Sequence, residues 1–185
     1  MLIFIHGFNS SGRSAKAQML GHYFQHIGHP DEFKCPDLPH RPAAAMNMLE
    51  SMLEGHAPEA VKLVGSSLGG WYATVLAERL GVRAVLVNPA VHPALLLASA
   101  LGEHTNYNTG ERYQFTAMHV QELADMELTA ITHPERLMVL LETGDEVLDY
   151  RTAQTFYRGC RRVVVQGGNH SFNSFAAHIP EIIAF

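Results

Sequence analysis

Three stretches of this chain, Leu2–Ile5, Ala84–Val87 and Leu137–Leu141, are apolar at every position, and each is of strand length. A strand with one wet face alternates polar and apolar side chains. An unbroken apolar run therefore means that both faces are covered, as in a parallel sheet sandwiched between helices. Val61–Val64 and Arg162–Val165 read as further strands, and Phe33–Cys35 as a weaker one. Helical patterns fall between them, near Ser14–Ile27, Ala43–Glu54, Leu68–Leu80, Asp149–Tyr157 and Ser174–Phe185. This alternation predicts an α/β fold with a mostly parallel sheet flanked by helices. No repeat or low-complexity linker divides the chain, so residues 1–185 read as one domain. The segment Asn88–Arg136 is too long for a simple crossover. It holds an apolar stretch (Ala94–Leu101), a turn-rich patch (Thr105–Glu111) and a helical pattern (Ala117–Met126), and it reads as a small cap-like insertion over the strand ends.

Composition removes several function classes. Thirteen Lys and Arg against eighteen Asp and Glu leave a formal charge of −5, which gives a nucleic-acid or anionic-membrane partner no bulk electrostatic support. The two cysteines, Cys35 and Cys160, lack metal-type spacing and read as reduced thiols. The opening Met1–Ile5 has no basic region and is too short for a signal peptide's apolar core; with no run of membrane-spanning length, a cytoplasmic location is expected.

The chemistry is signalled by Gly65-Ser66-Ser67-Leu68-Gly69, a G-x-S-x-G sequence centred on Ser67. Val61–Val64 enters it as a strand and Leu68–Leu80 leaves it as a helix, which is the setting of a nucleophile elbow. The serine of such an elbow sits on a sharp turn, and glycines remove the side chains that would clash there. Gly70 adds room for close helix packing. Without the elbow, the same residues would read as an ordinary Gly/Ser turn capping a helix.

A nucleophilic serine needs a base, and the base needs an orienting carboxylate. On this type of sheet they follow in the order Ser, Asp, His. Asp145 lies in the loop after Leu137–Leu141, and His170 in the glycine-rich loop after Arg162–Val165. Both are at carboxyl ends of expected strands, where open parallel sheets place their ligands. Asp149 competes for the acid role but reads better as an N-cap, and Glu142 and Glu146 are weaker candidates. Among the twelve histidines, His22, His26 and His29 lie on or beside an exposed helix face. His6, His92, His133 and His178 lie near loops or helix ends, and only His170 joins a strand end, a glycine-rich loop and the right chain order. The His22/His26 spacing lacks the support a metal site needs, so no metal is expected. The oxyanion donors expected are the backbone N–H groups of Leu68, directly after the nucleophile, and of Phe8, in the loop after the first strand.

That first loop carries a second reading. Gly7-Phe8-Asn9-Ser10-Ser11-Gly12-Arg13-Ser14 nearly fits the phosphate-binding G-x-x-x-x-G-K-[ST]. Arg13 stands where the compact ammonium of lysine is needed, and neither Ala84–Val87 nor Leu137–Leu141 ends in an aspartate for Mg²⁺.

In their order along the chain, His6-Gly7-Phe8, Gly65–Gly70, Gly144-Asp145 and Gly167–His170 resemble the α/β-hydrolase superfamily. More narrowly, Phe4–Ser11, Asn88–Val91, Thr109–Glu111 and Thr143–Tyr150 are similar to the small bacterial YqiA-type esterases. The resemblance implies an α/β-hydrolase fold shortened at the N-terminus and lacking the leading antiparallel strands. It implies hydrolysis of esters or thioesters, acyl-CoA among the candidates, with no cofactor and with Ser67, Asp145 and His170 as the triad. A small acyl ester or thioester is then the expected partner. The cap offers Leu95, Leu96, Tyr107, Phe115 and Met118 as walls of an acyl pocket, and an apolar lining would favour a medium-length chain; the same residues would equally serve to pack the cap onto the core. A hydrolase-fold binding module with weak or no turnover is the alternative from a different class.

Overall fold

The computed structural model describes residues 1–106 and 108–185. The apolar runs are strands: β1 (Leu2–Ile5), β2 (Phe33–Lys34), β3 (Lys62–Ser66), β4 (Arg83–Val87), β7 (Leu137–Glu142) and β8 (Arg161–Val165). Among the described residues they form one sheet in the order β2-β1-β3-β4-β7-β8, with every pairing parallel. The remaining pair, β5 (Gly102–Thr105) and β6 (Arg112–Phe115), is an antiparallel hairpin outside that sheet.

Because successive side chains of a strand point to opposite faces, each apolar strand feeds two cores. Leu2 and Phe4, Val85 and Val87, and Met138 and Leu140 pack under α1 (Ala15–His26) and α7 (Phe175–Ala184). Ile3 and Ile5, Ala84 and Leu86, and Leu137, Val139 and Leu141 pack under α2 (Pro42–Leu53), α3 (Leu68–Leu80) and α6 (Tyr150–Phe156). Helix α3 crosses the middle of the sheet and is buried from Leu68 to Ala77. It stops at Gly81, whose φ of 76° closes the helix in the left-handed conformation that glycine adopts without a Cβ penalty.

The expected insertion contains α4 (Pro93–Leu97), the β5–β6 hairpin and α5 (Ala117–Ala124). The Ala94–Leu101 stretch is helical only at its start, and the turn-rich patch is the tip of a hairpin that the sequence pattern did not reveal. The hairpin leans on the loop after β1: Asn9 Nδ2 donates to the Thr105 carbonyl (3.0 Å), and Asn106 Nδ2 donates to the Ser10 carbonyl (2.8 Å). Among the described residues no helix is long and apolar enough to cross a membrane.

Candidate active site

The turn from β3 into α3 holds Ser67 at φ 55°, ψ −121°, a conformation that few L-residues adopt. The surrounding backbone fixes it there. Ser67 N–H donates to the Val87 carbonyl, and the Ser67 carbonyl accepts from both Gly70 N–H and Ala90 N–H. The glycines of the motif are demanded by contact. A Cβ on Gly65 would come within 2.2 Å of the Gly69 carbonyl oxygen, and one on Gly69 within 2.1 Å of the Ile5 carbonyl oxygen. Ser67 is thus pressed out of the sheet between the ends of β1 and β4.

His170 reaches it from the loop after β8. Its Nε2 lies 3.1 Å from Ser67 Oγ, and its Nδ1 lies 2.8 Å from Asp145 Oδ2 and 3.0 Å from Oδ1. Asp145 Oδ1 also accepts from Val147 N–H and Leu148 N–H. Burial alone would raise the Asp145 pKa, but the hydrogen bonds from His170, Leu148 and Val147 outweigh it and hold the carboxyl below its ordinary value. A carboxylate on Nδ1 selects the tautomer with Nδ1 protonated, which leaves Nε2 free to accept from Ser67 Oγ. Asp149 caps α6 by accepting from Arg151 N–H (3.0 Å), and Glu146 accepts from His170 N–H (2.9 Å).

Glu142, at the last position of β7, is buried and binds the His170 loop directly. Its two oxygens accept from the N–H groups of Asn169, Asn173 and Ser174 and from Ser174 Oγ. Burial again opposes the charged form, and these donors again overcome it, so the carboxyl stays below its usual range. Asn88, at φ 40°, completes the link: its Oδ1 accepts from Glu142 N–H, and its Nδ2 donates to the Asn169 and His170 carbonyls. Neither role was legible in the sequence, where a strand-end Glu or Asn has no distinctive spacing.

On the other side of Ser67, the Phe8 and Leu68 N–H groups donate to no protein acceptor among the described residues; Leu68 is the first residue of α3, where a helix leaves its N–H unused. The Gly7–Phe8 peptide is oriented by His6. Leu38 N–H donates to His6 Nε2 (3.0 Å), so Nδ1 carries the proton and donates to the Gly7 carbonyl (2.9 Å), at the opposite end of the peptide that bears the Phe8 N–H. Burial, opposed by the Gly7 bond and Asp37, lowers the His6 pKa and keeps the ring neutral, as accepting from Leu38 requires.

Of the residues expected to wall an acyl pocket, Leu95, Leu96 and Met118 are exposed, Leu95 at 78%, because the short α4 and α5 turn their other faces to the core. Phe115 is buried and packs edge-on against the Phe8 ring, with centroids 5.3 Å apart. Tyr107 lies outside the described residues. The cleft wall is made by the loop after β1, by Leu38–His40, by Tyr72 and by the hairpin. The phosphate-loop reading is unsupported, because protein acceptors take that loop's amides. Gly12 N–H donates to Asp37 Oδ1 (2.7 Å), and the N–H groups of Arg13 and Ser14 bond to Ser11. A carboxylate there would repel a phosphate.

A family model described as an uncharacterised protein family, UPF0227, matches residues 1–185. The UPF0227 protein YcfP of Salmonella gallinarum is 24% identical over all of this chain and 98% of its own length. Among solved structures, mouse alpha/beta hydrolase domain-containing protein 10 is similar with TM-score 0.70 and 20% identity, over 99% of this chain and 89% of that one. Est1E from Butyrivibrio proteoclasticus aligns with TM-score 0.66 and 15% identity, over 100% and 88%. A Paleococcus ferrophilus monoacylglycerol lipase aligns with TM-score 0.67 and 13% identity, over 99% and 93%. At these identities the structural neighbours establish the α/β-hydrolase fold.

Proposed function

Since the chain belongs to the uncharacterised protein family UPF0227, whose description names no reaction, we propose from its own site that it is a serine hydrolase of carboxylic esters or thioesters, acyl-CoA included. One observation carries this reading: an unbroken hydrogen-bonded path from Asp145 through His170 to Ser67 Oγ, on a turn strained enough to present that oxygen. Two structural neighbours, an esterase domain from a Rhodothermus marinus protein and the Paleococcus ferrophilus monoacylglycerol lipase, carry names that agree with it.

In the proposed reaction Ser67 Oγ attacks the acyl carbon while His170 Nε2 takes its proton. The carbonyl π bond opens, and the oxyanion accepts from the Phe8 and Leu68 N–H groups, each such donor contributing about 3 kcal/mol to the barrier reduction. Collapse breaks the bond to the leaving oxygen or sulfur, which receives the His170 proton. A water then repeats the sequence, giving its proton to His170 and releasing the acid from Ser67. Asp145 stays ionised and fixes the imidazole.

A fluorescent fluorophosphonate tests this directly. Wild type should label on Ser67, and Ser67→Ala and His170→Ala should not. Ester turnover by Ser67→Ala should fall on the order of a thousandfold or more. Full turnover by Ser67→Ala would end the proposal. Saturable partner binding that ignores Ser67→Ala, with no turnover of any ester, would favour a binding module.

A further inference from the structure

The imidazole of His170 is carried by a loop, and the loop's backbone is tied down on both sides of the residue. His170 N–H donates to Glu146, and the His170 carbonyl accepts from Asn88 Nδ2 (3.3 Å). The next carbonyl, that of Ser171, accepts from Lys16 Nζ at 2.8 Å. Lys16 lies in the first turn of α1, 155 positions away in the chain. Its bond therefore joins α1 to the loop that leads into α7, the helix that shares its face of the sheet.

The surroundings of Lys16 set it apart from an ordinary surface lysine. Its side chain is half-buried; burial lowers its pKa, and the negative charges of Glu142 and Asp145 oppose that. Those two carboxylates hold the base: Asp145 bonds the His170 ring, and Glu142 accepts from the N–H groups of Asn169, Asn173 and Ser174. Carboxylates gathered on one loop repel one another, and a cation beside them offsets the repulsion. We propose that Lys16 is a positioning residue for the base, holding the Ser171 carbonyl and through it the His170 ring within reach of Ser67. The inference rests on the serine-hydrolase reading above, and Lys16 acts through His170, not on the substrate. The 3.1 Å from His170 Nε2 to Ser67 Oγ is near the upper limit for proton transfer across a hydrogen bond, so the loop has little slack to lose.

The test compares kcat, KM and the rate of fluorophosphonate labelling, per titrated serine and with p-nitrophenyl acetate as substrate. Lys16→Met keeps an aliphatic stem and removes the charge and the donor. A displacement of about 1 Å costs on the order of a hundredfold, and a shift of a few tenths of that is expected here. Both rates should then fall together by about fivefold to tenfold, with KM little changed. Lys16→Arg keeps a charged donor and should recover most of the loss. Lys62 also donates to backbone carbonyls, those of Ile182 and Ile183, but at the amino ends of the strands. Lys62→Met should accordingly lower stability and leave both rates per titrated serine as in wild type. If Lys16→Met does not fold, Lys16→Gln is read in the same way. Wild-type rates in Lys16→Met, or an equal loss in Lys62→Met, would overturn the positioning role and leave the nucleophile standing. A wild type that neither labels nor turns over any ester would overturn the hydrolase reading itself.

Discussion

At the carboxyl ends of the parallel strands, Asn9, Ser67, Asn88, His92 and Phe172 hold positive φ without being glycine. At the amino ends the positive-φ positions, Gly28, Gly55, Gly81 and Gly159, are glycines. Buried polar side chains divide the same way: His6, Ser66, Asn88 and Glu142 crowd the first end. The second end has the larger void, a groove of about 750 Å³ bordered by Lys62, Arg83 and Phe185, where the Lys62 ammonium is bonded to the last carbonyls of α7. Each non-glycine residue at positive φ costs about 1–3 kcal/mol, and such residues persist only where neighbouring structure forces them. Void volume at one end therefore says less about chemistry than strain and satisfied buried polarity at the other.

The largest effect should come from placing one methyl at each end. In Gly69→Ala the new Cβ would sit 2.1 Å from the Ile5 carbonyl oxygen and 2.5 Å from that of His6. Backbone cannot yield as a side chain does, so α3 must retreat from β1. That should cost about 3 kcal/mol or more, roughly 6–12 °C in Tm for a chain of this size, and about a hundredfold or more in ester turnover. In Gly55→Ala the Cβ meets nothing within 4 Å, and only the φ of 76° opposes it. About 1–2 kcal/mol of stability should be lost, with turnover per folded molecule unchanged. Thermal melts and active-site-titrated rates check both. Comparable activity losses in the two variants would break the contrast between the ends.

The same division governs how far the sequence could be read. Strands buried on both faces announce themselves as apolar runs, and β1, β4 and β7 lie where those runs do. Helix α3 begins and ends at the expected Leu68 and Leu80 because the elbow starts it and Gly81 stops it. The β5–β6 hairpin was not legible. Its strands read Gly-Glu-His-Thr and Arg-Tyr-Gln-Phe, with only Tyr113 and Phe115 buried, and four residues are too few for a period-two signal to emerge. That loss carried over to the cleft wall, since Leu95, Leu96 and Met118 look like pocket residues only if the insertion folds inward. For the site, spacing relative to strand ends brings Ser67, Asp145 and His170 together, and the structure joins them by hydrogen bonds. Glu142, Asn88 and Tyr72 depend on which loop faces which strand end, which is tertiary information.

Glu142→Gln sharpens the contrast within the active end. The carboxylate accepts from four donors, whereas an amide offers one acceptor and turns its NH₂ toward an N–H. Leaving a buried donor unmet costs about 1–3 kcal/mol, and the His170 loop should shift to relieve it. A displacement of about 1 Å at the base can cost on the order of a hundredfold in rate. We expect kcat per titrated serine and the rate of fluorophosphonate labelling to fall together by about tenfold to a hundredfold, with KM little changed. A residue that only stabilised the fold would lower the yield of folded protein and leave both rates per folded molecule intact.

The smallest effect is a matter of pH. His6 must stay neutral to accept from Leu38 N–H, and its pKa in the folded protein lies below the ordinary histidine value of 6.5. The unfolded chain then takes up a proton first as pH falls. The stabilisation from this group is complete above about pH 6.5 and is lost progressively as pH drops toward the lower folded value. Buried His119, lowered chiefly by its burial and then by His40, contributes with the same sign. Urea unfolding of wild type should give a lower free energy at pH 5.5 than at pH 7.5. In His6→Asn the absolute stability should drop at both values, while the difference between them shrinks to the share left to His119 and other groups. An undiminished difference would mean that His6 takes up its proton in the folded state as readily as in the unfolded one. The Gly7–Phe8 peptide would then be held by the loop's own backbone, and the active end would owe less of its rigidity to buried polar side chains than the contrast between the two ends requires.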